Sequence, residues 1–203
     1  MKQRLLDDGI VLMRRFCEVN SLAVPEVNIR STAEWPFGVC AYYRPTKIEV
    51  CLEKCAHIGV AGRSWSFPGN TVDRTPYGVI QHELGHHVDV MHSTQTARYR
   101  GDFSVKLRRE AGEPPISGYC PDDGEWFAEL FRVFVTNPDL LRIIRPATYE
   151  RLRSRFDPVV ADSWEAVLSG APDRTKAACS KKVGDVLRRH ATPQFAAMAD
   201  SER

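Results

Sequence analysis

His82-Glu83-Leu84-Gly85-His86 sets two imidazoles four residues apart, with a carboxylate beside the first. On an α-helix such residues stand about 40° apart around the axis, so both rings aim at one point. Neutral imidazoles arranged this way are ligands for a divalent metal, Zn2+ above all. Glu83 lies about 100° round from His82 and would reach a water beside the metal rather than the metal itself. The chemistry implied is metal-assisted hydrolysis with Glu83 as general base. The bland alternative is a surface helix carrying two histidines by chance.

The element that must carry the pair is marked in the sequence. Thr75-Pro76 is a helix start, with Thr as N-cap and Pro at the first helical position, and the helix is predicted to run to about Met91. Tyr77, Ile80, Leu84, Val88 and Met91 form one apolar stripe opposite the histidines, which therefore face a cleft. Gly85 leaves room for another chain segment. Asp89 falls on the histidine face, where it is expected to orient a ligand histidine as an acceptor. His92 offers a rival third ligand, because His82 to His92 approaches H-E-x-x-H-x-x-G-x-x-H. In that pattern a glycine turns the chain back; here Asp89 stands in its place and resists the left-handed turn.

A second helix is predicted over Gly124 to Thr136, stopped by Asn137-Pro138. Its sequence is apolar almost all round, which marks a buried helix. Its only charges are Glu125, Glu129 and Arg132, on one narrow stripe at i, i+4 and i+7. Buried carboxylates need a cation or hydrogen bonds. A metal would satisfy Glu125, and an imidazole or Arg132 would satisfy Glu129. An exposed stripe on an amphipathic helix is the alternative.

Taken in order, His82 to His86, then Ile116-Ser117-Gly118-Tyr119, then Glu125 to Arg132 and Asn137-Pro138, the chain resembles the gluzincin zinc peptidases. The likeness is to the catalytic domain of anthrax lethal factor and related bacterial and phage-encoded metallopeptidases. It covers roughly residues 75 to 138, and the turn Cys120 to Gly124 departs from the usual spacing. The resemblance implies Glu125 as third zinc ligand, Glu129 as a partner of a histidine, and Tyr119 as the hydroxyl that stabilises an oxyanion. A core tyrosine is the other reading of Tyr119.

The remaining sequence sets bounds. Hydrophobic residues make up 43% and charged residues 27% of 203, the balance of a globular protein. A net charge of +2 argues against general nucleic-acid or membrane-surface binding. The basic run Arg142 to Arg155 reads as a solvated helix face, with a partner patch as the alternative. The N-terminus reads as an amphipathic helix, not a signal peptide, and no transmembrane segment is evident, so a cytoplasmic setting with six reduced cysteines is expected. Cys40, Cys51, Cys55 and His57 contain the elements of a structural zinc site, but small apolar core residues are the favoured reading.

Strands are predicted at Val27–Arg30, Gly38–Tyr43 and Lys47–Leu52, the last two as a hairpin around Pro45 and the last as an edge strand for an extended peptide. Residues 57 to 74 read as loop and 92 to 118 as mixed, with further helices over 139–144, 147–156, 158–168 and 180–190. The expected fold is α+β and zincin-like: a small N-terminal sheet, an active-site helix and a mostly helical C-terminal part. Residues 1–170 would form one metallopeptidase domain, and 171–203 a helical extension with a flexible end. The expected function is zinc-dependent hydrolysis of peptide bonds in a protein or peptide substrate, through a zinc-activated water. Alternatives are a non-catalytic zincin fold serving as a structural or interaction part, for example in a phage particle, a cytosolic peptidase that cleaves a repressor, and a hydrolase acting on a non-peptide bond.

Overall fold

A computed structural model describes residues 2–35, 38–56, 73–94, 96–97, 100–116, 119–120 and 122–159. The predicted helices over 158–168 and 180–190, the boundary near residue 170 and His57 lie outside the described residues. The architecture is mixed α+β: a three-stranded sheet followed by a mostly helical remainder.

Helix α1 (Lys2–Val19) buries Leu5, Leu6, Leu12, Met13 and Phe16, the apolar face read from its spacing. Strands β1 (Glu26–Ile29), β2 (Ala41–Arg44) and β3 (Lys47–Val50) follow. Pro45 and Thr46 make the tight turn between β2 and β3, Thr46 taking a φ of 65°. Alternation then sorts the hairpin. Ala41, Tyr43, Ile48 and Val50 form its buried face, while Tyr42 and Glu49 pair on the other, where Arg30 joins them.

The strand order is β1-β3-β2, with β1 parallel and β2 antiparallel to β3. This corrects one expectation. Lys47–Leu52 is not an edge strand, because both sides of β3 are hydrogen-bonded; the edges among the described residues are β1 and β2.

Helix α2 (Pro76–Met91) is the hub, packed between α1, the sheet and α4 (Asp123–Thr136). Two glycines allow the close crossings. A Cβ on Gly9 would lie 3.1 Å from Tyr77 Cα, and a Cβ on Gly85 only 2.7 Å from Ala128 Cα. Ile80, Leu84 and Val88 are fully buried, but Met91 is half exposed, so the predicted stripe fades in the last turn. The core is completed by edge-to-face contacts of Phe16 with Phe131 and Phe134, each contributing about 0.5–1.5 kcal/mol beyond area burial.

Between α2 and α4 the chain forms a two-stranded ribbon, β4 (Thr96–Ala97) and β5 (Arg100–Gly101), and then α3 (Phe103–Ala111). The sequence reading left this region mixed. Phe103 and Leu107, one turn apart, are the buried apolar residues of α3, too few for a clear period, and Gly112 with φ 64° ends it. Helices α5 (Pro138–Ile144) and α6 (Pro146–Arg153) close the described fold. In the basic run, Arg142 is exposed as expected. Arg145 is not: it is buried and donates to the Pro114 and Pro115 carbonyls, both at 2.7 Å. No helix among the described residues is long and apolar enough to cross a membrane.

Candidate metal centre

Two capped helices bring the site together. Asp73 and Thr75 build the start of α2: Thr75 Oγ1 accepts from Gly78 N and donates to Asp73 Oδ1. Asp122 caps α4 by accepting from Glu125 N at 3.0 Å, which fixes Glu125 in the first turn. There the helix dipole also favours its negative charge.

The crossing of α2 and α4 at Gly85 and Ala128 then sets His82 and His86 against Glu125. Donor atoms from these three residues all lie within 4.8 Å of one another. His82 Nε2 is 3.0 Å from Glu125 Oε2, and His86 Nε2 is 3.5 Å from Glu125 Oε1. Ligands about 2.0–2.1 Å from a tetrahedral metal sit about 3.3 Å from each other. Two imidazole nitrogens and a carboxylate at such spacing form a donor set suited to a zinc-type ion.

The far side of His82 is held as well. Its Nδ1 lies 2.8 Å from Glu129 Oε1, and Glu129 Oε2 accepts from Arg132 Nη2 at 3.1 Å. Protonated on both nitrogens, His82 donates from Nδ1 to Glu129 and from Nε2 to Glu125; a metal would replace the Nε2 proton and leave the Nδ1 donor in place. Glu129 and Arg132 are almost wholly buried, so each supplies the counter-charge the other needs. Burial opposes ionisation of Glu125 and Glu129, yet both sit below the usual carboxylate range. The hydrogen bonds from His82 and His86 lower Glu125. Arg132 and His82 bring Glu129 to about 2.

A cavity of about 230 Å³ adjoins the cluster, with His82, Glu83, Glu129, Tyr119, Cys40 and Arg74 in its wall. Burial holds the Glu83 carboxyl above its ordinary pKa, against the pull of His82 and His86. A carboxylate raised in this way is a better proton acceptor. The Tyr119 ring lies tilted beside His82, ring centroids 5.9 Å apart, and is partly exposed. Burial and the nearby Glu125 push its hydroxyl to about 12, so it stays a hydrogen-bond donor.

The structure thus brings together His82, Glu83, His86, Tyr119, Glu125 and Glu129. It does not include Asp89. That carboxylate accepts from Gly101 N (3.0 Å), Ser104 N (2.7 Å) and Ser104 Oγ (3.1 Å), so it anchors β5 and α3 to α2 and orients no histidine. His92 lies apart too, packed at a tilt against Phe103 and edge-to-face against Phe156. Helix α2 continues through Asp89, as the missing glycine requires.

Sequence reading gave no place at this site to Arg74 or to Cys40, both in the cavity wall. Arg74 stands just before the helix cap with no motif of its own. Cys40 looks like core by type and is indeed buried, along with Cys51 and Cys55, but one side of it faces the cavity. The described cysteines, Cys17, Cys40, Cys51, Cys55 and Cys120, are free thiols. The chain matches no family model, no curated protein and no solved structure.

Proposed function

We propose that the chain is a zinc metallopeptidase of gluzincin type, with a zincin-like fold, acting on a protein or peptide substrate in the cytoplasm. One observation carries the reading: His82, His86 and Glu125 converge from two helices while Glu83 stands beside them in a cavity wall. Three protein ligands leave a coordination position open, the pattern of catalytic rather than structural zinc sites.

Zinc bound there supplies a Lewis acid that acidifies water and polarises a carbonyl. Glu83 takes the proton of the attacking water and returns it to the leaving amine. The Tyr119 hydroxyl donates to the carbonyl oxygen as charge develops on it. Glu129 keeps His82 in one tautomer and one orientation. The cavity reaches Gly38 to Ala41, where β2 begins, so the edge of β2, which pairs with no other strand among the described residues, is the place for an extended peptide to pair.

The test is a peptide-library cleavage assay with metal analysis on wild type and Glu83→Gln. Cleavage by zinc-loaded wild type, absent in a Glu83→Gln protein that still holds zinc, supports the reading. Metal binding with no cleavage of any peptide would move the chain to the non-catalytic class.

A further inference from the structure

Cys40 takes no part in the hydrolytic scheme, yet it lines the same cavity. Arg74 Nε and Nη2 both donate to its sulfur, each at 3.4 Å. The Cys55 thiol, in the turn that packs beside Cys40, donates to the Cys51 carbonyl at 3.5 Å and also acts on the Cys40 sulfur. The Lys54 carbonyl, 3.2 Å away, is the acceptor available when Cys40 is protonated. Two backbone bonds lock these pieces in place. Cys51 N donates to Cys40 O at 2.9 Å, and Ala56 N donates to Arg74 O at 2.7 Å. The turn carrying Cys55 is thereby fastened to both Cys40 and Arg74. Cys51, nearer to Cys55 in sequence, points elsewhere and donates to Glu53 Oε2.

A sulfur that accepts from a guanidinium and a second thiol is stabilised as thiolate. The hydrogen bond from Cys55 bears most on Cys40; with Arg74 it outweighs burial and the field of Glu83 and brings the thiol down to about 6. Cys55 is pushed the other way by the same contact and by burial, so the shared proton rests on it. One sulfur is therefore primed to attack, and its neighbour keeps a proton to give. Cys17 supplies the contrast: burial without such partners raises it to about 11.

We propose that Cys40, in the cavity wall, and Cys55, in the adjoining 51–55 turn, form a peroxide-reactive dithiol, Cys40 attacking and Cys55 resolving. The Cys40 thiolate forms a bond to one oxygen of a hydroperoxide. The O–O bond breaks, and hydroxide (or the alkoxide of an organic peroxide) leaves and is protonated by solvent. The Cys55 sulfur then bonds to the Cys40 sulfur, the S–O bond breaks, and water departs with the Cys55 proton. Two thiols lose two electrons, and the peroxide gains them. The resulting bridge ties the segment entering β2 to the 51–55 turn and removes the anion that Arg74 faces. The chemistry is independent of the metal reading, since it is followed on the thiols themselves.

The experiment exposes the reduced full-length chain to one equivalent of hydrogen peroxide, then alkylates the remaining thiols under denaturing conditions and maps the peptides. The expected product is a Cys40–Cys55 linked peptide, with four of the six thiols left free. In Cys55→Ser the reaction should stop at a Cys40 sulfenic acid that dimedone traps. Arg74→Gln should slow loss of the Cys40 thiol about tenfold, as its pKa returns toward that of an ordinary cysteine. A Cys51–Cys55 link, or Cys40 consumed no faster than Cys17 in wild type, would overturn the proposal.

Discussion

His82 Nδ1 lies 2.8 Å from Glu129 Oε1, on a carboxylate that also holds the buried guanidinium of Arg132. One side chain thus serves both the site and the fold. Glu129→Ala should therefore fail twice. It leaves Arg132 buried without its charge partner, a loss of about 3–5 kcal/mol in unfolding free energy. Glu129→Gln keeps the shape and some hydrogen bonding, so it should fold better yet bind zinc about 10–100-fold more weakly. Urea melts and zinc titration separate the two effects. Wild-type zinc affinity in Glu129→Gln would mean that His82 needs no such support.

Gly85 tests the crossing that builds the site. A Cβ there would meet the Ala128 backbone at 2.7 Å and its Cβ at 3.2 Å. Gly85→Ala should cost about 1–3 kcal/mol through overpacking, although alanine is the better helix former. Pairing it with Ala128→Gly should recover only part of this, since the nearer contact is backbone. A Gly85→Ala protein as stable as wild type would show that α2 and α4 have room to part.

The roles in the proposed reaction separate by kinetics. Glu83→Gln removes a base and no ligand, so turnover should fall about 10²–10⁴-fold with zinc retained. Tyr119→Phe should lower kcat more than it raises KM, because its hydroxyl is assigned to the transition state. An unchanged rate in Tyr119→Phe would leave that ring a structural role only.

Removing the metal should change how stability depends on pH. In metal-free protein burial opposes a charge on His82, but hydrogen bonds to Glu125 and Glu129 prevail and push its pKa from 6.5 to about 10. Its contribution is full below pH 6.5 and fades as pH climbs through 10. Glu129 moves oppositely: burial resists its charge, while Arg132 and His82 lower it from 4.5 to about 2. That contribution is full above pH 4.5 and is lost as pH falls through 2. Denaturant melts should find metal-free protein most stable between pH 4.5 and 6.5, with losses on both sides. Zinc takes the place of the His82 proton, so the alkaline loss should shrink in the loaded protein. A flat metal-free profile from pH 6.5 to 10 would contradict this account of His82.

Helix α2 was readable because its signals are local. Thr75-Pro76 caps it, and the histidines repeat at helical spacing. Helix α4 was readable for the opposite reason: apolar on nearly every side, it had to be buried, and its few charges had to find partners. Glu125 and Glu129 met theirs on α2. Asp89 misled because helical angle alone cannot choose between neighbours on one face; the segment that claims it, Gly101 to Ser104, has no strong period of its own. The place of β3 was hidden for a similar reason. Whether a strand is central or edge depends on a distant partner, here β1. Cys40, just before β2, and Arg74, just before α2, meet only in the folded chain, and no spacing in the sequence records that.

The central claim is the ligand set, and a zinc titration of metal-free wild type, Glu125→Ala and His92→Ala tests it most directly. Wild type should bind one zinc per chain. Glu125→Ala should lose affinity by orders of magnitude, while His92→Ala, altered only where it packs against Phe103 and Phe156, should bind nearly as wild type does. A wild-type chain that takes up no zinc, or one whose affinity depends on His92 and not on Glu125, would contradict the account.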